Sequence, residues 1–253
     1  MYTLYIPKYK GDRPPHLVKN VVNAISQYCL DKNSPFGIFM APGYLSQSEH
    51  TIQDFTSDFP FSSLNYSPIK NSYLGIFRGM NSQNIITLNN GQQKTILEVH
   101  SAEYQNIGNN WINLSCKAHK EDHRKMLFVF SLDDTIPLKI DKTNIDAFLK
   151  SVNVNFVLIG SSNQSHNTYF APGTKGEADI LLFTEQSFLD VLYVHSQRND
   201  IPINADSEGN TPLRSCILSS TNEIRSYEGK PFKTPKNSFL KDILKEYMEN
   251  TLI

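Results

Sequence analysis

Three apolar runs of strand length constrain this chain most, because each carries polar groups at one end. Met126–Phe130 follows His123-Arg124-Lys125, and Phe156–Ile159 runs into Gly160-Ser161-Ser162-Asn163. Ile180–Phe183 follows Gly176-Glu177-Ala178-Asp179. Short apolar runs bounded by Gly, Ser or charged residues are the pattern of buried strands. Placed in one sheet, the three bring a His, a Lys, an Asn and a Glu to a common rim. That set suits phosphodiester chemistry without a metal. An imidazole attacks phosphorus, an ammonium and an amide hold the non-bridging oxygens, and a carboxylate orients the imidazole.

The H-x-K of His123 and Lys125, followed by the G-S-x-N of Gly160, Ser161 and Asn163, resembles the motif of the phospholipase D superfamily. Glu177 resembles the acidic residue that completes the motif in that family's nuclease branch. The resemblance spans roughly residues 34 to 185, since Gly43-Tyr44-Leu45-Ser46 also looks like the turn after the family's first strand. It implies a phospholipase D-like α/β fold, with a mixed, mainly parallel β-sheet flanked by helices. It also implies a phosphohistidine intermediate and a metal-independent site that needs no cofactor.

Two departures from the family pattern shape the expectations. Residues 126 to 162 separate the Lys from the end of the G-S-x-N, where the common form has a short gap with an Asp soon after the Lys. The nearest acids here are Asp133 and Asp134, so residues 133–155 read as an insertion between neighbouring strands, with a short helix at 144–152. The chain also holds a single H-x-K, because His16, His50, His100, His119, His166 and His195 lack a Lys two positions on. Enzymes of this type use two such motifs, which implies a homodimer with one shared active site.

Composition narrows the class. A formal charge of −1 supplies no bulk positive field and argues against a sequence-indifferent DNA coat, while leaving room for a local basic cleft. Cys29, Cys116 and Cys216 have no C-x-x-C spacing and read as free thiols in a reducing compartment. No apolar run approaches the roughly 20 residues that span a bilayer, and the N-terminus lacks the pattern of a signal peptide. The expectation is therefore a cytoplasmic protein with no membrane partner.

Along the chain, an edge strand is expected at 2–6, a helix at 16–30, a strand at 36–41 and a short helix at 47–55. Asn89-Asn90-Gly91 marks a hairpin whose second strand is expected to end at His100. A strand is expected at 112–116, a helix after Thr184, and small strands at 213–218 and 222–227. Leu240, Ile243, Leu244 and Tyr247 fall on one face of a terminal helix. The organisation expected is a catalytic domain over 1–195 with a small appendage over 196–253 packed on it.

His123, Lys125, Asn163 and Glu177 are the catalytic candidates, with Ser161 as a supporting hydroxyl and His166 and Asn167 as candidate substrate contacts. Arg124 is set aside, because alternation along a strand turns it from the face its neighbours share. Glu185 competes with Glu177, which is preferred because it directly precedes its strand and follows Asn163 by fourteen positions, close to the interval the resemblance implies; Asp179, two residues on, is the reserve. No H-E-x-x-H, D-x-D, G-x-S-x-G or P-loop is present, so metal, serine-hydrolase and nucleotide-binding readings find no motif. The expected function is that of a DNA endonuclease of the restriction or defence type, working with a possible separate specificity or methyltransferase partner. A lipid phosphodiesterase or transferase using the same residues is the alternative, and a non-catalytic DNA-binding subunit of a restriction complex is a third.

Overall fold

The computed structural model describes residues 2–8, 35–45, 72–107, 110–117, 122–133, 135–161, 177–183, 217–220 and 239–253. In chain order these form β1 (Tyr2–Lys8), β2 (Phe36–Pro42), β3 (Ser72–Ile76), β4 (Ile85–Thr87), β5 (Gln93–Thr95) and α1 (Ile96–Ile107). There follow β6 (Asn110–Trp111), β7 (Asn113–Leu114), β8 (Lys125–Leu132), β9 (Lys139–Ile140) and α2 (Ile145–Lys150). The rest are β10 (Val152–Gly160), β11 (Glu177–Phe183), β12 (Ile217–Ser220) and α3 (Phe239–Thr251).

The main sheet has the order β12-β1-β11-β10-β8-β2-β3-β6. Among the described strands of this sheet, only β2–β3 and β3–β6 are parallel; the other five neighbouring pairs run antiparallel. The architecture is α/β with a mixed sheet flanked by helices, and the expectation of a mainly parallel sheet is corrected. The physical reason lies in the connections. The β8-to-β10 segment returns the chain beside its own starting strand, a reversal that makes the pair antiparallel. Continuous apolar runs are usual for parallel strands buried on both faces, but here antiparallel strands are buried on both faces as well, and their runs look the same.

Both faces of the central strands are buried. On one, Phe39, Phe128, Phe130 and Val157 join Phe148 of α2 and Leu240, Leu244, Tyr247 and Met248 of α3 in the main core. Phe39 meets Phe130 edge-on at 4.8 Å and stacks on Phe148 at 5.3 Å, and Phe77 meets Tyr247 edge-on at 4.8 Å. Such pairs add about 0.5–1.5 kcal/mol each beyond their area. On the other face, Ile38, Met40, Leu127, Val129, Phe156, Leu158, Leu181 and Phe183 are equally buried.

A β-bulge at Asn155 shifts the β8–β10 register. Before it Val154 faces Phe130; after it Phe156 faces Val129. Asn155 stands in for the interrupted ladder, its Oδ1 accepting the backbone N–H of Ser131 at 2.9 Å.

Several local expectations meet the structure directly. The hairpin at Asn89-Asn90-Gly91 joins β4 and β5, and the 144–152 helix is α2. The strand expected to end at His100 is instead helix α1. Thr95 and Glu98 form a capping box, with Thr95 N–H donating to Glu98 Oε2 at 2.7 Å and Glu98 N–H to Thr95 Oγ1 at 3.2 Å. That T-x-x-E signal outweighs the β-branched look of the segment. β1 is no edge, since β12 pairs on its outer side. The C-terminal stretch thus supplies both a strand of the main sheet and a helix of its core. Cys116 is a buried free thiol, and burial pushes its pKa up. Among the described residues, no helix is long and apolar enough to cross a membrane. The helices expected at 16–30, 47–55 and after Thr184, and the strand at 222–227, lie outside the described residues.

Close packing makes Gly37 a sensitive position. A Cβ there would stand 2.2 Å from the Phe130 ring, which is held between Phe39 and Phe148. Gly37→Ala is expected to cost about 1–3 kcal/mol, the range of overpacked cores, read as a lowered urea midpoint with an unchanged slope.

Candidate active site

The register places the sequence motifs at one rim. Successive rows across β2, β8, β10 and β11 on a single face read Ile38, Val129, Phe156, Phe183, then Met40, Leu127, Leu158, Leu181. The next row reads Pro42, Lys125, Gly160, Asp179. Two apolar rows therefore form a floor, and polar groups begin only at its end. With neighbouring strands about 4.8 Å apart, Lys125 and Asp179 stand roughly 10 Å apart at Cα, with a residue lacking a side chain between them.

Beyond that row the rim continues with Gly43-Tyr44 after β2, His123 before β8, Ser161 after β10 and Glu177 at the head of β11. Lys8 of β1 pairs with Glu177 in the ladder. His123 and Ser161 are exposed and Lys125 is half-buried. The Lys125 ammonium donates to the backbone carbonyl of His123 at 2.8 Å, so the two motif residues are tied at the strand entrance. Asp179 is only 1% exposed, a buried carboxyl in the row of Lys125. The backbone of Glu177 opens β11, whereas Asn163, His166, Asn167 and Glu185 lie outside the described residues.

The residue between His123 and Lys125 turns to the opposite face, as alternation requires. Arg124 forms a fork on Asp122, with Nε donating to Oδ1 at 2.9 Å and Nη2 to Oδ2 at 2.6 Å. Its guanidinium carbon lies 4.2 Å from the ring centroid of Tyr247, a cation–π contact. Nη2 also donates to Thr251 Oγ1 at 3.2 Å, and Tyr247 Oη donates to Asp122 Oδ2 at 3.1 Å. Burial pushes the Asp122 carboxyl up, but the hydrogen bonds and charge of Arg124 outweigh it and hold the group below the usual carboxylate range. The Asp122 bond raises Arg124 further. Burial, then the charge of Asp122, lifts the Tyr247 phenol well above its ordinary value.

This four-residue cluster escaped sequence reasoning, whereas Tyr44 belongs to the Gly43-Tyr44-Leu45-Ser46 turn expected after β2. Tyr44 is 37% exposed, and Gly43 ahead of it has φ +67°, a left-handed turn that suits glycine. The turn is pinned by Met80 N–H donating to Gly43 O at 3.0 Å and Leu45 N–H to Met80 O at 3.3 Å. A D-x-R spacing that straddles a motif residue was the signal available for the cluster.

No family model matches the chain, and no curated protein does. Among solved structures, a histidine-to-alanine mutant of yeast tyrosyl-DNA phosphodiesterase is similar over 71% of this chain, with a TM-score of 0.37 and 12% identity. The match takes in 46% of that chain, so this chain spans under half the length of the structure it resembles.

The depressed pKa of Asp122 has a pH signature. A carboxyl lowered in the folded state contributes stability above its unfolded pKa, and that contribution disappears as pH falls through the folded value. Urea midpoints of wild type and Asp122→Asn should therefore differ at neutral pH and converge on acidification. A gap that stayed constant into acid would contradict the linkage.

Proposed function

We propose that this protein is a metal-independent phosphodiesterase of the phospholipase D type, acting on DNA as a homodimer with a shared active site. What carries the reading is the register that sets Lys125 opposite Gly160 and Gly160 opposite Asp179. Through it, the H-x-K, the start of the G-S-x-N and the head of the acidic strand share one rim above an apolar floor.

In this mechanism an imidazole nitrogen of His123 attacks phosphorus while the bond to the leaving oxygen breaks. The partner's His123, protonated, gives that oxygen its proton and is left neutral. Water, deprotonated by the same neutral imidazole, then attacks the phosphohistidine and releases the phosphate ester and the free imidazole. Lys125 and Asn163 of both chains stabilise charge on the pentavalent phosphorus, and Glu177 holds the ring of His123 in the reactive orientation. Ser161 supports the turn, while His166 and Asn167 contact substrate. The restriction or defence role, and any separate specificity subunit, extend the same reading.

Because protein groups supply nucleophile, acid and charge stabilisation, plasmid cleavage should persist in excess EDTA. His123→Ala under identical conditions should lose about 10³-fold or more. Activity that vanished with EDTA and returned with Mg²⁺ would point to a metal nuclease instead.

The shared site makes a second, stricter demand. With one H-x-K per chain, the attacking and the protonating imidazoles come from different subunits across a two-fold axis. A hybrid of tagged wild type and untagged His123→Ala should be inactive, since its one centre lacks an imidazole. Half of wild-type turnover in the purified hybrid would mean independent sites.

A further inference from the structure

We propose that Arg124 is a positioning residue, through which helix α3 sets His123 against Lys125. The segment entering β8 lies at the surface, where strand ends ordinarily fray. Here both neighbours of His123 are tied down. Asp122 accepts the Arg124 backbone N–H at 3.0 Å as well as both arms of its guanidinium, and Tyr247 and Thr251 hold that pair to α3.

The anchor itself is closely packed. Tyr247 is 4% exposed, its ring against Phe77 at 4.8 Å and Phe128 at 5.6 Å. Phe128 is in β8, so the helix grips the strand three residues beyond Lys125 and the entrance just before it. Thr251 Oγ1 donates to Tyr247 O at 2.6 Å while accepting from Arg124. The end of α3 is fixed in turn by Lys117 N–H donating to Thr251 O at 2.9 Å and Ile253 N–H to Ser115 O at 2.9 Å. On the far side of the strand, the Lys125 ammonium holds the carbonyl of His123. The imidazole-bearing residue is thus bracketed before, after and at its own carbonyl.

The bracket is specific to arginine. Only a planar fork can engage both oxygens of Asp122 while its central carbon sits 4.2 Å over the Tyr247 ring; a lysine keeps the charge and loses the fork. Arg124→Lys is therefore the decisive substitution. The effect on turnover rests on the proposed phosphodiesterase reading, whereas the effect on the segment does not.

Amide hydrogen exchange of residues 122–125 and steady-state kinetics on plasmid DNA in EDTA test the two levels separately. In Arg124→Lys the amide of residue 124, which donates to Asp122 Oδ1 in the wild type, should exchange about 10-fold faster while core amides of β8 keep their protection. With the fold retained, kcat should fall by up to about 100-fold, the loss expected for a nucleophile misplaced by roughly 1 Å, and KM should change little. Tyr247→Phe removes a single hydrogen bond, keeps the ring, and should show the same pattern more weakly; it decides the matter if the lysine variant does not fold. Unchanged exchange at the amide of residue 124 in a folded variant overturns the clamp. Faster exchange with unchanged kcat overturns its role in positioning. A wild type inactive on every phosphodiester tried would sink the proposed function, and the exchange data would still decide whether the clamp exists.

Discussion

The β-bulge at Asn155 is the constraint on which the rim depends. Had the β8–β10 ladder run on without it, Phe156 would face Phe128 and Gly160 would face Arg124. With it, Gly160 faces Lys125. A slip of one residue turns every side chain to the other face of a sheet. Ordinarily a hydrophobic face prevents such slips, but β8 and β10 are buried on both sides, and either register would bury apolar residues. Burial alone therefore discriminates weakly here. The hydrogen bond from Ser131 N–H to the Asn155 side chain supplies the missing specificity, since it satisfies a donor that the bulge would otherwise leave buried and unpaired.

Register and helix placement then act together. The bulge turns Val157 and Ile159 toward the main core, where α3 packs, and turns Phe156 and Leu158 to the face that ends in Lys125. Arg124 is on the α3 face for the same alternation reason that Lys125 is not. One strand entrance therefore serves two purposes, with motif residues presented on one side and their anchor on the other. The desolvation that an Asp–Arg pair suffers on partial burial is offset by the fork, the phenol hydrogen bond and the ring contact.

Much of this was legible in the residues, and the limits are physical. Strand length, apolar runs and flanking polar groups located β2, β8, β10 and β11, and helical spacing located α3. Direction was not legible, because two-sided burial looks alike in parallel and antiparallel strands. Helix α1 reads as a strand from its apolar residues because Ile96, Val99 and their neighbours suit either state, and the capping box Thr95-Glu98 is the deciding clue. For the candidate site, H-x-K and G-S-x marked residues that the ladder brings side by side. The bulge left no sequence trace stronger than an Asn between valine and phenylalanine. In the Asp122–Arg124–Tyr247 cluster only the D-x-R half is local; Tyr247 lies 125 positions from Asp122, a separation over which no local pattern speaks.

Why the polar groups gather at this rim and nowhere further in follows from the sheet's own energetics. A charged side chain in a row such as Met40, Leu127, Leu158 and Leu181 would be buried away from water, at a cost no surface-like ion pair could offset. Lys125 stands at the first row where its ammonium can reach a carbonyl outside the ladder, and it uses that of His123. Asp179 occupies the same row yet is almost fully buried, so the boundary between apolar floor and polar rim falls within this row. Gly160 lies between the two and fills none of that boundary with a side chain. Such a step in polarity strengthens each interaction made above it, because charges aligned over a low-dielectric floor are screened less than charges in water.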